Sequence, residues 1–175
     1  MEHTTRIFII ATLLLIWITG IAGQERKNAF ANIRAEHAET LRSWLKAKPN
    51  LRPATEADCR NKTSLKLQRS DDKGYQPYYL AADLDGDTQT DFAVALVDNK
   101  KRAAVKFVLA IFNYTDRGYR QALIQPDLDL HQSGLFLWGA ERNQLAVGEF
   151  QTDNCGYYKW TGDKYVAIDC TDAEN

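Results

Sequence analysis

Pro77-Tyr78-Tyr79-Leu80-Ala81-Ala82-Asp83-Leu84-Asp85-Gly86-Asp87-Thr88-Gln89-Thr90-Asp91-Phe92-Ala93-Val94-Ala95-Leu96-Val97 decides how this chain folds: two apolar segments of strand length flank an acidic loop. Asp83, Asp85, Asp87 and Asp91 stand at positions 1, 3, 5 and 9 of that loop. Carboxylates drawn into one place raise one another's pKa and oppose the turn that gathers them. A cation removes that cost, and Ca²⁺, a hard ion taking about six to eight oxygens, is the occupant this composition predicts. The segment Phe92–Val97 is apolar at every position, the pattern of a central strand covered on both faces.

Downstream the periodicity is two. Candidate strands run over Tyr78–Ala82, Asp91–Val97, Ala103–Tyr114, Tyr119–Ile124, Leu135–Gly139, Leu145–Phe150, Gly156–Thr161 and Tyr165–Ile168. Turn residues divide them, among them Asp98-Asn99, Asp116-Arg117-Gly118 and Gly162-Asp163. Connections this short hold no crossover helix, so the pairing is mainly antiparallel. Upstream, Glu25–Lys48 places Phe30, Ile33, His37, Leu41, Trp44 and Leu45 on one helical stripe that Pro49 ends. His37, on the stripe, reads as a satisfied core or boundary residue. Ser64–Gln68, alternating Leu65 and Leu67 with Lys66 and Gln68, reads as a further short strand. The expected fold is α+β, mainly β: an N-terminal helix packed on a curved antiparallel sheet, with the calcium loop between two strands.

Residues 1–23 have the layout of a secretory signal peptide: Arg6, an apolar core from Ile7 to Ile18, then small residues before Gly23. That core is shorter than the roughly 20 residues a membrane-spanning helix needs. Cleavage after Ala22 or Gly23 is expected, leaving residues 24–175 as one globular domain, with the helix at about 25–48 and the β-rich part at about 64–170. The protein is then secreted or periplasmic and has no membrane contact; an uncleaved N-terminal anchor is the alternative. The 22 basic and 23 acidic residues are interspersed, which excludes a nucleic-acid-binding face. Three cysteines in an exported chain give one disulfide and one spare thiol. A two-residue turn at Gly162-Asp163 would set Cys155 opposite Cys170 at a separation a disulfide accepts. A tether from Cys59 to either one is the competing pairing. Asn61 and Asn113 head Asn-x-Thr sequons, relevant only in a eukaryotic host.

The loop is not an EF-hand, because the required Gly and bidentate Glu positions hold Thr88 and Val94. Asp83, Asp85, Gly86, Asp87 and Asp91, followed by Phe92-Ala93-Val94, instead resemble the calcium loop of FG-GAP and VCBS repeats. The resemblance implies side-chain ligation by Asp83, Asp85, Asp87 and Asp91 and a backbone carbonyl from Gln89. Thr88 departs from the motif, which has a second Gly there; a β-branched residue at positive φ would be strained. The layout also resembles small exported bacterial proteins with one such repeat, through Pro77-Tyr78-Tyr79 and Asp153-Asn154-Cys155-Gly156-Tyr157.

Catalysis has little support in the sequence. His37 and His131 belong to no zinc or triad motif, and Asp127 and Asp129 beside His131 read as a loop. The expected role is that of a calcium-binding structural or protein- or carbohydrate-binding module. Tyr157, Tyr158, Trp160 and Tyr165 would supply either an aromatic contact face or part of the core. An inhibitor or immunity-type protein acting on a secreted enzyme is the alternative, and a hydrolase a distant third.

Overall fold

A computed structural model describes residues 29–100, 106–138, 144–152 and 154–169. The chain forms two compact units, residues 1–31 and 32–175. Only residues 29–31 of the first are described; the signal-peptide segment lies outside the described residues. The second unit carries α1 (Ala35–Leu45), β1 (Leu51–Pro53), α2 (Lys62–Asp71) and β2 (Tyr79–Ala82). It continues with β3 (Asp91–Asp98), β4 (Phe107–Asn113), β5 (Arg120–Leu128), β6 (Ser133–Trp138), β7 (Gln144–Glu149), β8 (Cys155–Trp160) and β9 (Tyr165–Asp169). No described helix is long and apolar enough to cross a membrane.

The domain is α+β and mainly β, with antiparallel pairing throughout the described strands. Where one curved sheet was expected, there are two. In the first, β3 pairs with β4 and β4 with β5, while β1 and β2 share the other edge of β3 at opposite ends. The second is the meander β6-β7-β8-β9. Within β5 the ladder is interrupted at Pro126, which has no ladder N–H, and Asp127, at φ +63°; Leu128 pairs again with Phe107 before the chain leaves the first sheet. Leu130, almost wholly buried, then anchors the crossing.

β3 is buried along nearly its whole length, as a strand apolar on both faces requires. Successive side chains point to opposite faces. Ala93, with Leu109 and Ile111 of β4, packs against Leu135, Leu145, Tyr158 and Tyr165 of the second sheet. Phe92 and its cross-strand partner Phe112 face the other way and stack on each other at 4.6 Å between centroids. There α1 covers them: His37 stacks on Phe92 at 4.4 Å and Trp44 meets Phe112 edge-on at 5.5 Å. The first sheet is therefore the middle layer, between the helix and the second sheet.

The helix begins at Ala35, later than the expected residue 25, and the turn at residues 29–33 precedes it. Ser64–Gln68 is helical, not a strand. Asn61 caps α2 by accepting the Ser64 N–H at 3.0 Å. Leu65 and Leu67, two apart, fall on different sides of a helix, and the first is buried while the second is half exposed. The β8–β9 register pairs Gly156 with Asp169, as the two-residue turn at Gly162-Asp163 requires. Continued one step it reaches Cys155 and Cys170, the latter outside the described residues; Cys59 is a free, buried thiol.

Between the layers, Tyr75 stacks on Phe136 at 5.0 Å, and its hydroxyl has no hydrogen-bond partner among the described residues. That hydroxyl lies over Gly134, where a Cβ would collide with it and sit 2.8 Å from Phe150 Cε1. Gly134→Ala should lower stability by roughly 1–3 kcal/mol in chemical denaturation. Adding Tyr75→Phe should recover part of that loss by removing the nearest clashing atom, a coupling that a double-mutant cycle measures.

Candidate metal centre

The loop from Asp83 to Asp91 joins β2 to β3, whose register starts with Ala82 opposite Asp91. Its turn is built from carboxylates accepting backbone N–H groups, the local bonding that Asp favours. Asp83 accepts from Gly86 at 2.7 Å and from Thr88 at 2.9 Å. Asp85 accepts from Asp87 at 3.2 Å, and Asp87 from Gln89 at 2.7 Å. Gly86 and Thr88 both take positive φ, +84° and +73°. The strain anticipated for a β-branched residue at position 88 is therefore present.

Asp83, Asp85 and Asp91 converge, each offering one carboxylate oxygen, with those atoms within 4.8 Å of one another. Asp87 and Gln89 are on the exposed part of the loop, outside that cluster. Asp91 is fully buried. Its two oxygens accept the Leu84 N–H at 2.9 Å and the Tyr114 N–H at 2.8 Å. Burial, the largest influence, pushes its pKa up to about 6, against the pull of those two N–H donors and with help from the charges of Asp85 and Asp87. That displacement from 3.8 favours the neutral acid by on the order of 3 kcal/mol. Asp85 is also raised, by burial first. Among the described residues no lysine or arginine forms an ion pair with the cluster.

Two residues that sequence reasoning missed complete the surroundings. Asn113, at the end of β4, donates from Nδ2 to Asp85 at 2.5 Å, and its Oδ1 accepts the Tyr165 hydroxyl at 2.8 Å. The loop, the first sheet and the first residue of β9 are thus joined in one chain of hydrogen bonds. Nothing local could have signalled this, since the Asn113 contact spans 28 positions and the Tyr165 contact 52. Both sequon asparagines have structural work, Asn61 as a helix cap and Asn113, almost fully buried, in this relay.

The donor set is all oxygen, which suits hard cations such as Ca²⁺ or Mg²⁺ rather than thiolate- or imidazole-seeking metals. A carboxylate oxygen that accepts one N–H keeps a second lone pair for a cation, so the turn's internal bonds do not compete with binding.

Other sequence candidates are engaged elsewhere. His131 is mostly buried against Phe107, with Nδ1 3.0 Å from the Asp58 carbonyl oxygen, and its N–H donates to Asp129 at 3.2 Å. Cys59 is 2% exposed. Tyr157, Tyr158 and Tyr165 are each no more than 8% exposed and Trp160 is partly buried against the same core, so most of the C-terminal ring cluster is core. No protein-family model, no curated protein and no solved structure matches this chain.

Two outcomes follow from the loop geometry. Relieving the positive φ at position 88 is worth about 1 kcal/mol, so Thr88→Gly should raise the stability of the folded chain by about that much in chemical denaturation. Asp91 binds its proton more tightly in the folded state. Its contribution to the stability of the metal-free protein is therefore full below about pH 4 and lost as pH rises through about 6. A cation offsets that loss. The increase in melting temperature conferred by calcium should grow from about pH 5 to about pH 7.

Proposed function

We propose that this chain is an exported, calcium-stapled β module in which the ion is held by Asp83, Asp85 and Asp91, with Asp87 and the Gln89 carbonyl completing the set as the FG-GAP/VCBS resemblance implies. The observation that carries this reading is the buried, uncompensated carboxylate of Asp91 converging with two others. A divalent ion would supply the missing positive charge. Because Asp91 bonds to the loop and to Tyr114, and Asp85 to Asn113 and through it to Tyr165, neutralising the cluster would stiffen the junction of both sheets. Burial of Tyr157, Tyr158 and Tyr165 favours a structural role for these rings over an aromatic sugar-binding face. Export is supported by the layout of residues 1–23, which also makes a Cys155–Cys170 disulfide chemically reasonable.

Calcium at about 100 times its Kd stabilises a native state by about 2.7 kcal/mol. For a domain of this size that is a rise of roughly 5–10 °C in Tm, reversed by EDTA. Asp85→Ala should abolish the rise; a rise unchanged in Asp85→Ala would place the ion elsewhere. Peptide mapping of the exported protein without reductant should recover Cys155 linked to Cys170, Cys59 modifiable only after unfolding, and an N-terminus at Gly23 or Gln24.

A further inference from the structure

On the face of the middle sheet opposite the second sheet, a histidine is enclosed. His37 of α1 is fully buried. Its Nδ1 lies 2.8 Å from the Tyr79 hydroxyl of β2, and its Nε2 lies 2.7 Å from the Tyr119 hydroxyl just before β5. The ring is stacked on Phe92 of β3 and meets Tyr119 edge-on at 4.8 Å. One imidazole thus joins the helix to three strand regions of the first sheet.

The neighbours accommodate one neutral tautomer with every donor matched. Tyr79 Oη accepts the Arg34 N–H at 3.4 Å, leaving its own proton to donate to His37 Nδ1. Nε2 then carries the hydrogen and donates to Tyr119 Oη, with Glu36 Oε1 also 3.4 Å away. With the ring neutral, each bond in this arrangement has a donor and an acceptor. A second proton, on Nδ1, would require the Tyr79 hydroxyl hydrogen to turn away, and the cation would be shut away from water beneath a helix.

We propose that His37 is an acid-sensitive latch: neutral, it holds α1 on the sheet, and its protonation releases α1 and uncovers the Phe92–Phe112 pair. The titratable groups facing the ring are Glu36 and Arg34 from its own segment, Tyr79 from β2 and Tyr119 from the approach to β5; Phe92 adds only a ring. Glu36 attracts the imidazolium, but its side chain is largely exposed. Burial outweighs it and, with Arg34 opposing protonation, holds the His37 pKa below its ordinary value. The sign follows by linkage. A released His37 takes up its proton near pH 6.5 and the docked one only at lower pH, so docking is full above about 6.5 and weakens below it. Each pH unit below that value weakens docking by up to about tenfold.

Hydrogen exchange of the calcium-loaded protein at about pH 7.5 and about pH 5.5, corrected for intrinsic rates, tests this. Amides of residues 38–45 should lose up to about tenfold in protection at the lower pH while those of β4 keep theirs. In His37→Gln, and in Tyr119→Phe should the first fail to fold, the pH-dependent loss should disappear or shrink; Asp91 is unchanged in each, so its own titration cancels in the comparison with wild type. NMR titration of the ring should place His37 below 6.5. A His37 that titrates at or above 6.5, α1 protection that is equal at both pH values, or loss spread evenly over α1 and β4 would overturn the latch. None of these outcomes depends on where calcium binds.

Discussion

The carboxylate of Asp91, shut away from solvent at the first position of β3, is the constraint on which the loop end of the molecule depends. It binds Leu84 N–H on the loop side and Tyr114 N–H just past β4, so one side chain fixes how the β2–β3 connection meets the neighbouring strand. A buried carboxylate is costly without a cation or a full set of donors. Two N–H groups offset part of the cost, and its raised pKa shows that they do not offset all of it. The same feature that closes the loop therefore creates a demand for positive charge.

The demand sits where the layers meet. Asp91 is followed by Phe92, whose side chain points to the opposite face and carries the His37 ring of α1. On the other face, Asp85, Asn113 and Tyr165 carry the loop's hydrogen bonds into β9 of the second sheet. Two adjacent residues of β3 thus serve the acidic loop and the helix respectively, through the alternation of an extended strand. Calcium at the loop and a proton at His37 would act on neighbouring positions of one strand while bearing on different layers.

Much of this was legible in the sequence because it is local. The two-faced apolar run at Phe92–Val97 marked the central strand, and alternation with turn residues placed most of the others close to where they lie. His37 on the helical stripe was readable as a satisfied core residue; of the expected convergent set Asp83, Asp85, Asp87 and Asp91, the folded loop draws Asp83, Asp85 and Asp91 together. What was not legible depends on distant partners. Leu65 and Leu67 alternate like a strand, yet the Asn61 cap and the exposure of Leu67 belong to a helix. The division into two sheets falls between the end of β5 at Leu128 and the start of β6 at Ser133, and no periodicity encodes it. Asn113 carried no sign of its bond to Asp85, because only the folded register brings them together.

The structural role proposed for the loop depends on a calcium ion held by Asp83, Asp85 and Asp91. Equilibrium dialysis of chelator-treated protein against radioactive calcium, at about neutral pH, tests it most directly. The account predicts uptake of one ion per chain in the wild type and none at that site in a chain lacking the Asp85 carboxylate. Absence of uptake by the folded wild-type protein at millimolar free calcium would contradict it.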